Sequence, residues 1–356
     1  MAEDIQINRR EIGVISLFSG AGGLDLGFSQ AGFQILSATD NDSDSIATLK
    51  RNNQFSNTTI RQADLTNTNL ECFEIDSMRS PGPVVVIGGP PCQPFSKNGY
   101  WISHTRRLIQ NDPRNLLGRF VQVVHHIKPA GFLFENVESI LHPTNRPVLH
   151  KFVKATEELG FNVRVFRANS LDFGVPQKRK RVFVLGTMGA YSAKTSVEAD
   201  SDGLFRFTDS TMPEAVGPHI ETFSENRFAE PGETTCNGKW SDALALVPPG
   251  KNYLYLTERA GYPNPIFDYG KRFWNFLLKL HPDRPSWTIA ATPGPWVGPF
   301  HWTSRRLRVP EIAAIQSFPN NYEFHGSRRS IQRQIGNAVP PLLAKSFAQY
   351  LGDSLQ

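Results

Sequence analysis

Short apolar runs alternate with longer mixed segments through the first half of the chain. The runs at 14–18, 34–38, 84–87, 131–134, 163–167 and 182–185 are brief and rich in Val, Ile and Phe, as suits buried strands. Between them, at 24–31, 43–52, 116–127 and 146–159, apolar residues recur at helical spacing, so one stripe of each segment faces a core. Strand and helix in alternation predict βαβ units around a mostly parallel sheet, an α/β fold. From 187 to 282 the periodicity fades, and Gly, Pro, Ser and Thr punctuate short segments. That stretch is expected to be a loop-rich second domain and not a continuation of the sheet. A short helix is expected at 309–316. The amphipathic stretch 342–351 is too short to stand alone and must dock on something.

Composition narrows the class. At 356 residues two domains are expected, with 39% hydrophobic and 20% charged residues, ordinary for a soluble globular chain. No apolar run reaches bilayer length, and the first ten residues lack a signal-peptide core, so no membrane association is expected. The cysteines are Cys72, Cys92 and Cys236, without metal-site or disulfide spacing, which fits a reducing cytoplasm and no bound metal. A net charge of +5 favours a polyanionic partner only weakly. Its distribution says more. Lys178-Arg179-Lys180-Arg181, Arg305-Arg306-Leu307-Arg308 and Arg328-Arg329 all fall in the second half, near Trp287, Trp296, Phe300 and Trp302. A charge run is usually a solvated face, but Arg clusters interleaved with aromatics favour nucleic acid.

Two loops carry candidate chemistry. Val84-Val85-Val86-Ile87 is closed by Gly88-Gly89 and followed by Pro90-Pro91-Cys92-Gln93-Pro94-Phe95-Ser96. Prolines on both sides restrict the backbone, so one thiol is held at the carboxyl end of a strand, where open α/β sheets bind ligands. The competing reading is a buried structural cysteine. The other loop, Phe18-Ser19-Gly20-Ala21-Gly22-Gly23-Leu24, leaves the first strand and enters the first helix. Its glycines admit a ligand close to the backbone, although the spacing is not the dinucleotide pattern. Asp40 closes the second strand, where an acid accepts ribose hydroxyls, and Asp64-Leu65 could meet an adenine edge. Each aspartate could equally be a cap or turn former, and for Asp42 the cap is the preferred reading.

Glu135-Asn136-Val137 at another strand end, Gln177-x-Arg179-x-Arg181 and a late Gln334-Ile335-Gly336-Asn337-Ala338-Val339-Pro340-Pro341 complete a series. In this order and spacing the chain resembles the DNA (cytosine-5) methyltransferases from about 14 to 351, apart from the variable stretch 187–282. The resemblance implies a Rossmann-like sheet that binds S-adenosylmethionine, with a smaller target-recognition domain. It divides the chain into a catalytic and cofactor-binding domain at 1–186 and a recognition domain at 187–283. A connection follows at 284–333, and a terminal helix at 334–356 returns to the first domain. It makes Cys92 the nucleophile that adds to C6 of a flipped cytosine, which turns C5 into an enamine-like carbon able to take the methyl group. Glu135 would contact N3 and the exocyclic amine, a role that suits a carboxyl with a raised pKa. Arg181 would hold the cytosine carbonyl, and Arg179 would support Glu135 and the DNA backbone. Asn136 fixes the loop between Cys92 and Glu135, or is a plain turn residue.

The same resemblance assigns the cofactor's methionine part to Phe18, Gly20, Gly22, Gly23 and Leu24, its ribose to Asp40 with Asn41, and its adenine to Asp64 and Leu65. Gly89, Pro91, Leu116, Asn337 and Val339 complete that pocket. There are two departures: Ser16 stands where the family often carries an acid, and Asp40 replaces a commoner glutamate. Expected DNA contacts are Ser96, Arg106, Arg107, Arg114, Gln177, Arg305, Arg306 and Arg308, the last three to phosphates. The segment 97–114 is expected to close over the flipped base, with an ordinary surface loop as the plainer reading. Recognition of a short duplex DNA sequence falls to 187–282. Lacking chromatin-reading modules, the chain reads as prokaryotic, cytoplasmic, nucleoid-associated when acting, and monomeric. It would be an orphan modifier or the companion of a separate restriction endonuclease. The competing functions are tRNA cytosine-5 methylation within the same family and a non-catalytic DNA-binding regulator.

Overall fold

A computed structural model describes residues 9–90, 116–191, 196–209, 211–234 and 238–355. The first half runs β1 (Gly13–Leu17), α1 (Gly23–Gln30), β2 (Gln34–Asp40), α2 (Ser43–Arg51), β3 (Thr59–Gln62), α3 (Glu71–Ser77) and β4 (Val84–Gly88). It continues with α4 (Leu116–Ile127), β5 (Gly131–Val137), α5 (Arg146–Glu158), β6 (Asn162–Asn169), β7 (Gln177–Lys178) and β8 (Lys180–Thr187). Then follow β9 (Val197–Ala199), β10 (Phe205–Phe207), α6 (Gly217–Ile220), α7 (Ser241–Leu246), β11 (Ser286–Trp287), α8 (Val309–Ile315), α9 (Arg328–Asn337) and α10 (Pro341–Ser354).

Nine strands form one sheet in the order β3-β2-β1-β4-β5-β8-β6-β10-β9. The strands from β3 to β5 are parallel, as in doubly wound folds. β8 runs antiparallel to both β5 and β6. Alternation along the strands sorts side chains between two cores. Val14, Val85, Ile87, Leu133 and Phe183 join α1, α2 and α10, whereas Ile15, Val86, Phe134 and Val184 join α4 and α5.

Local chemistry explains the boundaries. Asp42 caps α2 by accepting from the Ser45 amide at 3.0 Å, the preferred cap reading. Ser327 caps α9 by accepting from the Ser330 amide at 3.2 Å. The terminal segment finds its docking partner in α1, where Gly27 brings the helices together: a Cβ there would lie 2.4 Å from that of Ala344. α9 carries no strong apolar pattern in the sequence because its buried face is largely polar, with Ser330 and Gln334 beside Ile335.

One expectation is corrected. The stretch after residue 187 does begin by continuing the sheet, because β10 pairs with β6 and β9 with β10. Phe205 and Phe207 pack on Phe166 at 5.6 and 5.5 Å between centroids, so aromatic burial holds strands of only three residues. Runs that short show no readable period. A separate small core does form beyond them, from residues between Ala243 and Phe300.

Candidate active site

The carboxyl ends of β1, β4 and β5 lie side by side, with Leu17 opposite Gly88 and Gly88 opposite Phe134. β8 enters the sheet at this same edge, pairing Arg181 with Val137. Four separated segments therefore meet: the turn after β1, Gly89-Pro90, Glu135 and Arg181. Antiparallel pairing puts Glu135 and Arg181 on one face as diagonal neighbours. Arg181 Nε stands 2.9 Å from Glu135 Oε1, and both side chains are nearly buried. Burial pushes the Glu135 carboxyl up from its usual range, opposed by the charges of Arg181 and Arg179. Gly89 sits directly against this carboxylate, since a Cβ there would lie 2.9 Å from Oε2.

Asn136 is buried on the other face, and its Nδ2 reaches the Pro90 carbonyl at 3.5 Å. Its side chain thus ties the β5 end to the start of the Pro-Cys loop. Pro91, Cys92, Ser96, Arg106, Arg107 and Arg114 lie outside the described residues. Arg179 is 1% exposed and donates to the Gly336 carbonyl at 2.8 Å, which joins the sheet edge to α9.

Three expected DNA contacts are corrected. Gln177 is fully buried, receives the Ile289 amide at 2.9 Å and donates to the Gln316 side chain. Arg308 is buried too, bound to Glu233 at 2.7 and 2.9 Å and to the carbonyls of Phe223 and Glu225. Arg305 makes a forked pair with Glu311 at 2.8 and 2.6 Å, and its side chain is 11% exposed. These groups offer folding bonds instead of phosphate bonds, because buried guanidinium and amide groups must find partners inside the protein. Arg306 alone of its cluster is exposed.

The turn after β1 has the form of a ligand cradle. Phe18, Gly20 and Gly22 take left-handed φ of 55°, 53° and 77°. For Phe18 that conformation carries strain, of the kind that collects at functional sites. Cβ atoms on Gly22 and Gly23 would strike Leu49 at 2.6 Å and the Val339 carbonyl at 2.3 Å, whereas no described residue lies within 4 Å of a Cβ on Gly20. Val339 thereby closes one side of the turn. Asp40 accepts from the Gly20 amide at 2.8 Å and the Asp42 amide at 2.9 Å, one bond per oxygen. Each oxygen keeps a lone pair for a hydroxyl donor. Burial, chiefly, raises the Asp40 pKa. Asp64 follows β3 at the same edge, exposed, accepting from the Thr66 amide at 2.9 Å. The buried Leu65 lies near the start of α4, where Leu116 is also buried, and Arg119 of that helix donates to the Leu65 carbonyl at 2.6 Å. Asn41 and Asn337 are exposed, while Leu24 is buried. A glycine turn that the described residues leave uncrowded at Gly20, with a two-oxygen acceptor at its rim, fits a nucleoside-bearing amino acid such as S-adenosylmethionine.

Several supporting roles are not legible in the sequence, including that of Gln334, which stands there only as part of the late motif. Tyr322 donates to the Ala21 carbonyl at 2.6 Å and braces the turn from below. Gln334 joins α9 to α2, accepting from Thr48 at 2.6 Å and donating to the His325 carbonyl at 2.7 Å. Arg333 pairs with Asp42 at 2.7 Å. The only available signal was polar residues inside otherwise apolar or Gly-rich segments, as with Ser16 in the wholly buried β1.

Comparison with known proteins agrees with this geometry. The family model for C-5 cytosine-specific DNA methylases matches residues 12–353. The type II methyltransferase M.SacI of Streptomyces achromogenes is 36% identical, covering 97% of this chain and 94% of its own. M.AplI of Arthrospira platensis is 31% identical, over 99% and 90% of the two chains. Among solved structures, the methyltransferase EhMeth of Entamoeba histolytica shares the fold at a TM-score of 0.63 and 16% identity, covering 97% of this chain and 99% of its own. With the glycine turn, the Glu135–Arg181 pair and the β4 exit gathered on one edge, the chain belongs to the C-5 cytosine-specific DNA methylase family.

Proposed function

We propose that this DNA cytosine-5 methyltransferase acts on a cytosine swung out of duplex DNA, with Cys92 as nucleophile and Glu135 and Arg181 gripping the base. The observation that carries the reading is the buried Glu135–Arg181 pair at 2.9 Å, placed beside the exit of β4 that leads into Pro-Cys. A carboxyl whose pKa is raised by burial can present a proton to N3 of the base, and the neighbouring guanidinium can donate to the carbonyl. The Cys92 thiolate adds to C6, and the C5=C6 electrons shift toward N3, where Glu135 delivers its proton. S-adenosylmethionine, when bound, supplies the methyl group for C5. Loss of the C5 proton to a base or water, departure of the thiolate and return of the N3 proton to Glu135 restore the aromatic ring and the enzyme. The glycine turn from Phe18 to Leu24, with Asp40 and Val339, would hold the cofactor, and Asp64 would lie toward its adenine.

Recognition is assigned to the region after 187, organised by the small core between Ala243 and Phe300. An exposed strip on that core supports this. Lys271, Arg272, Phe273 and Trp274 all face outward, with Phe273 68% and Trp274 48% exposed. Their backbone is pinned, because Tyr253 donates to the Arg272 carbonyl at 3.0 Å and Asn252 to that of Trp274 at 2.7 Å. Trp274 packs edgewise on Trp287 at 4.4 Å, and Lys178 lies over Trp287 at 5.6 Å. The strip is therefore continuous with the strand that leads to Arg181. Rigid aromatic and basic side chains suit a base-and-phosphate surface. The type II naming of the relatives favours a modification role beside a separate restriction endonuclease.

The deciding experiment uses duplex DNA carrying 5-fluorocytosine at the target, because fluorine cannot leave C5 as a cation. A covalent complex mapped by peptide mass to Cys92 is the expected result. An adduct on Cys72 or Cys236, or full methylation by Cys92→Ser, would overturn the assignment.

A further inference from the structure

Beneath the glycine turn lies a carboxyl that the reaction outlined above does not use. Asp25 is the third residue of α1 and is completely buried. Among the described residues neither oxygen has a hydrogen bond of good geometry, and its polar neighbours are the hydroxyls of Ser16 and Ser19 and its own amide. Side chains on a helix lean toward its amino end, which here carries Asp25 back under the Ser19–Gly22 turn. The hydroxyls of Ser16 and Ser19 face it and stand 2.9 Å from each other. Ser19 in turn receives the Thr39 amide at 3.1 Å, so this pair sits between Asp25 and the cradle. Two titratable groups also face Asp25: Asp40 from the end of β2 and the Tyr322 phenol from the segment before α9. Neither is a cation, and among the described residues no cation is one of the groups that most affect it. Burial pushes its pKa up to about 6, with the two serines pulling down and Asp40 pushing up.

A buried acid without a counter-charge is costly unless a positive group comes to it. The helix amino terminus offsets part of the charge. S-adenosylmethionine brings two positive centres, a sulfonium and an ammonium, to the other side of the turn. We infer that Asp25 is the buried counter-charge of the cofactor's cationic methionine end, coupled to it through Ser16 and Ser19. The inference rests on that turn being the cofactor's cradle. Ser16 fills the strand position where the family often carries an acid, and Asp25 returns one to the same place from the neighbouring helix. It acts as a positioning residue and touches no reacting atom.

The linkage has a definite sign. A cation above Asp25 favours its ionised form, so binding releases a proton wherever the free protein holds one, near and below pH 6. Affinity for S-adenosylmethionine should fall about tenfold from pH 7.5 to pH 5, since at pH 5 about nine molecules in ten carry the proton. Calorimetry of the full-length protein in two buffers of different ionisation enthalpy reads the released proton directly. In Asp25→Asn the proton release and the pH dependence should both vanish. The variant should also discriminate less between S-adenosylmethionine and S-adenosylhomocysteine, which lacks the sulfonium charge. Its melting temperature without cofactor should stay level or rise, because a buried charge has gone; a purely structural role predicts a drop. Proton release that persists in Asp25→Asn would trace the effect to Asp40 or Glu135 and overturn the inference. Wild-type binding without any proton release overturns it as well. Failure of the wild-type protein to bind S-adenosylmethionine at all would instead sink the assignment of the cradle.

Discussion

Gly89→Ala tests the catalytic geometry through a single methyl group. The added Cβ would lie 2.9 Å from Glu135 Oε2, whereas an ordinary carbon–oxygen contact begins near about 3.4 Å. The carboxylate must therefore retreat by roughly 0.5 Å. It cannot simply swing away, because Arg181 holds its other oxygen at 2.9 Å. A retreat of that size reaches the tolerance of a productive site, where about 1 Å can cost a hundredfold in rate. The expected loss in kcat is ten- to a hundredfold, about 1.4–2.7 kcal/mol of barrier. The backbone at Gly89 is not left-handed, so alanine should fold there without strain. Single-turnover transfer of labelled methyl to duplex DNA measures the rate, alongside affinities for DNA and cofactor and a thermal melt. Wild-type turnover from a properly folded variant would refute the placement of Glu135 at the reacting base. A lost cofactor affinity with unchanged kcat would move Gly89 into the cofactor pocket instead.

The corrected arginines separate cleanly. Arg308→Ala strands the carboxylate of Glu233 and should cost about 3 kcal/mol or more in urea unfolding, with little change in DNA affinity of the folded fraction. Arg306→Ala should leave the melt unchanged and flatten the salt dependence of DNA binding by about one counterion, read by titration at several salt concentrations. The Arg308 guanidinium holds the Glu233 carboxyl down at about 2, so the pair's contribution is complete above the ordinary glutamate range and is lost as pH falls toward 2. Denaturation midpoints between pH 6 and 3 should therefore fall more steeply in the wild-type protein than in Glu233→Gln. Phe273→Ala and Trp274→Ala should each weaken duplex binding by about 1 kcal/mol or more and broaden the set of methylated sites, read by sequencing modified positions. Unaltered preference in both would place recognition elsewhere.

Periodicity alone located six strands of the α/β sheet and four of the helices between them, because each is long enough to show its spacing and buries a whole face; the four-residue β3 and the seven-residue α3 were too short to show one. Motif order went further: the glycine turn, Pro-Cys, Glu135 and Arg181 were legible because chemistry restricts residue type at each. The sequence could not say that β9 and β10 extend the sheet, since three-residue strands are stabilised by aromatic rings contributed from β6 and α10. Nor could it distinguish Arg306, which faces solvent, from Arg305 and Arg308, which face carboxylates. Adjacent arginines look alike until folding brings Glu233 and Glu311 to two of them. The same holds for Asp25 and Asp42, one buried among the described residues beside two serine hydroxyls and one capping a helix. Local pattern determines which segments bury and where the backbone must turn. What charge meets what charge depends on contacts across hundreds of residues, such as Arg333 with Asp42 or Arg179 with Gly336, and only the tertiary structure decides those.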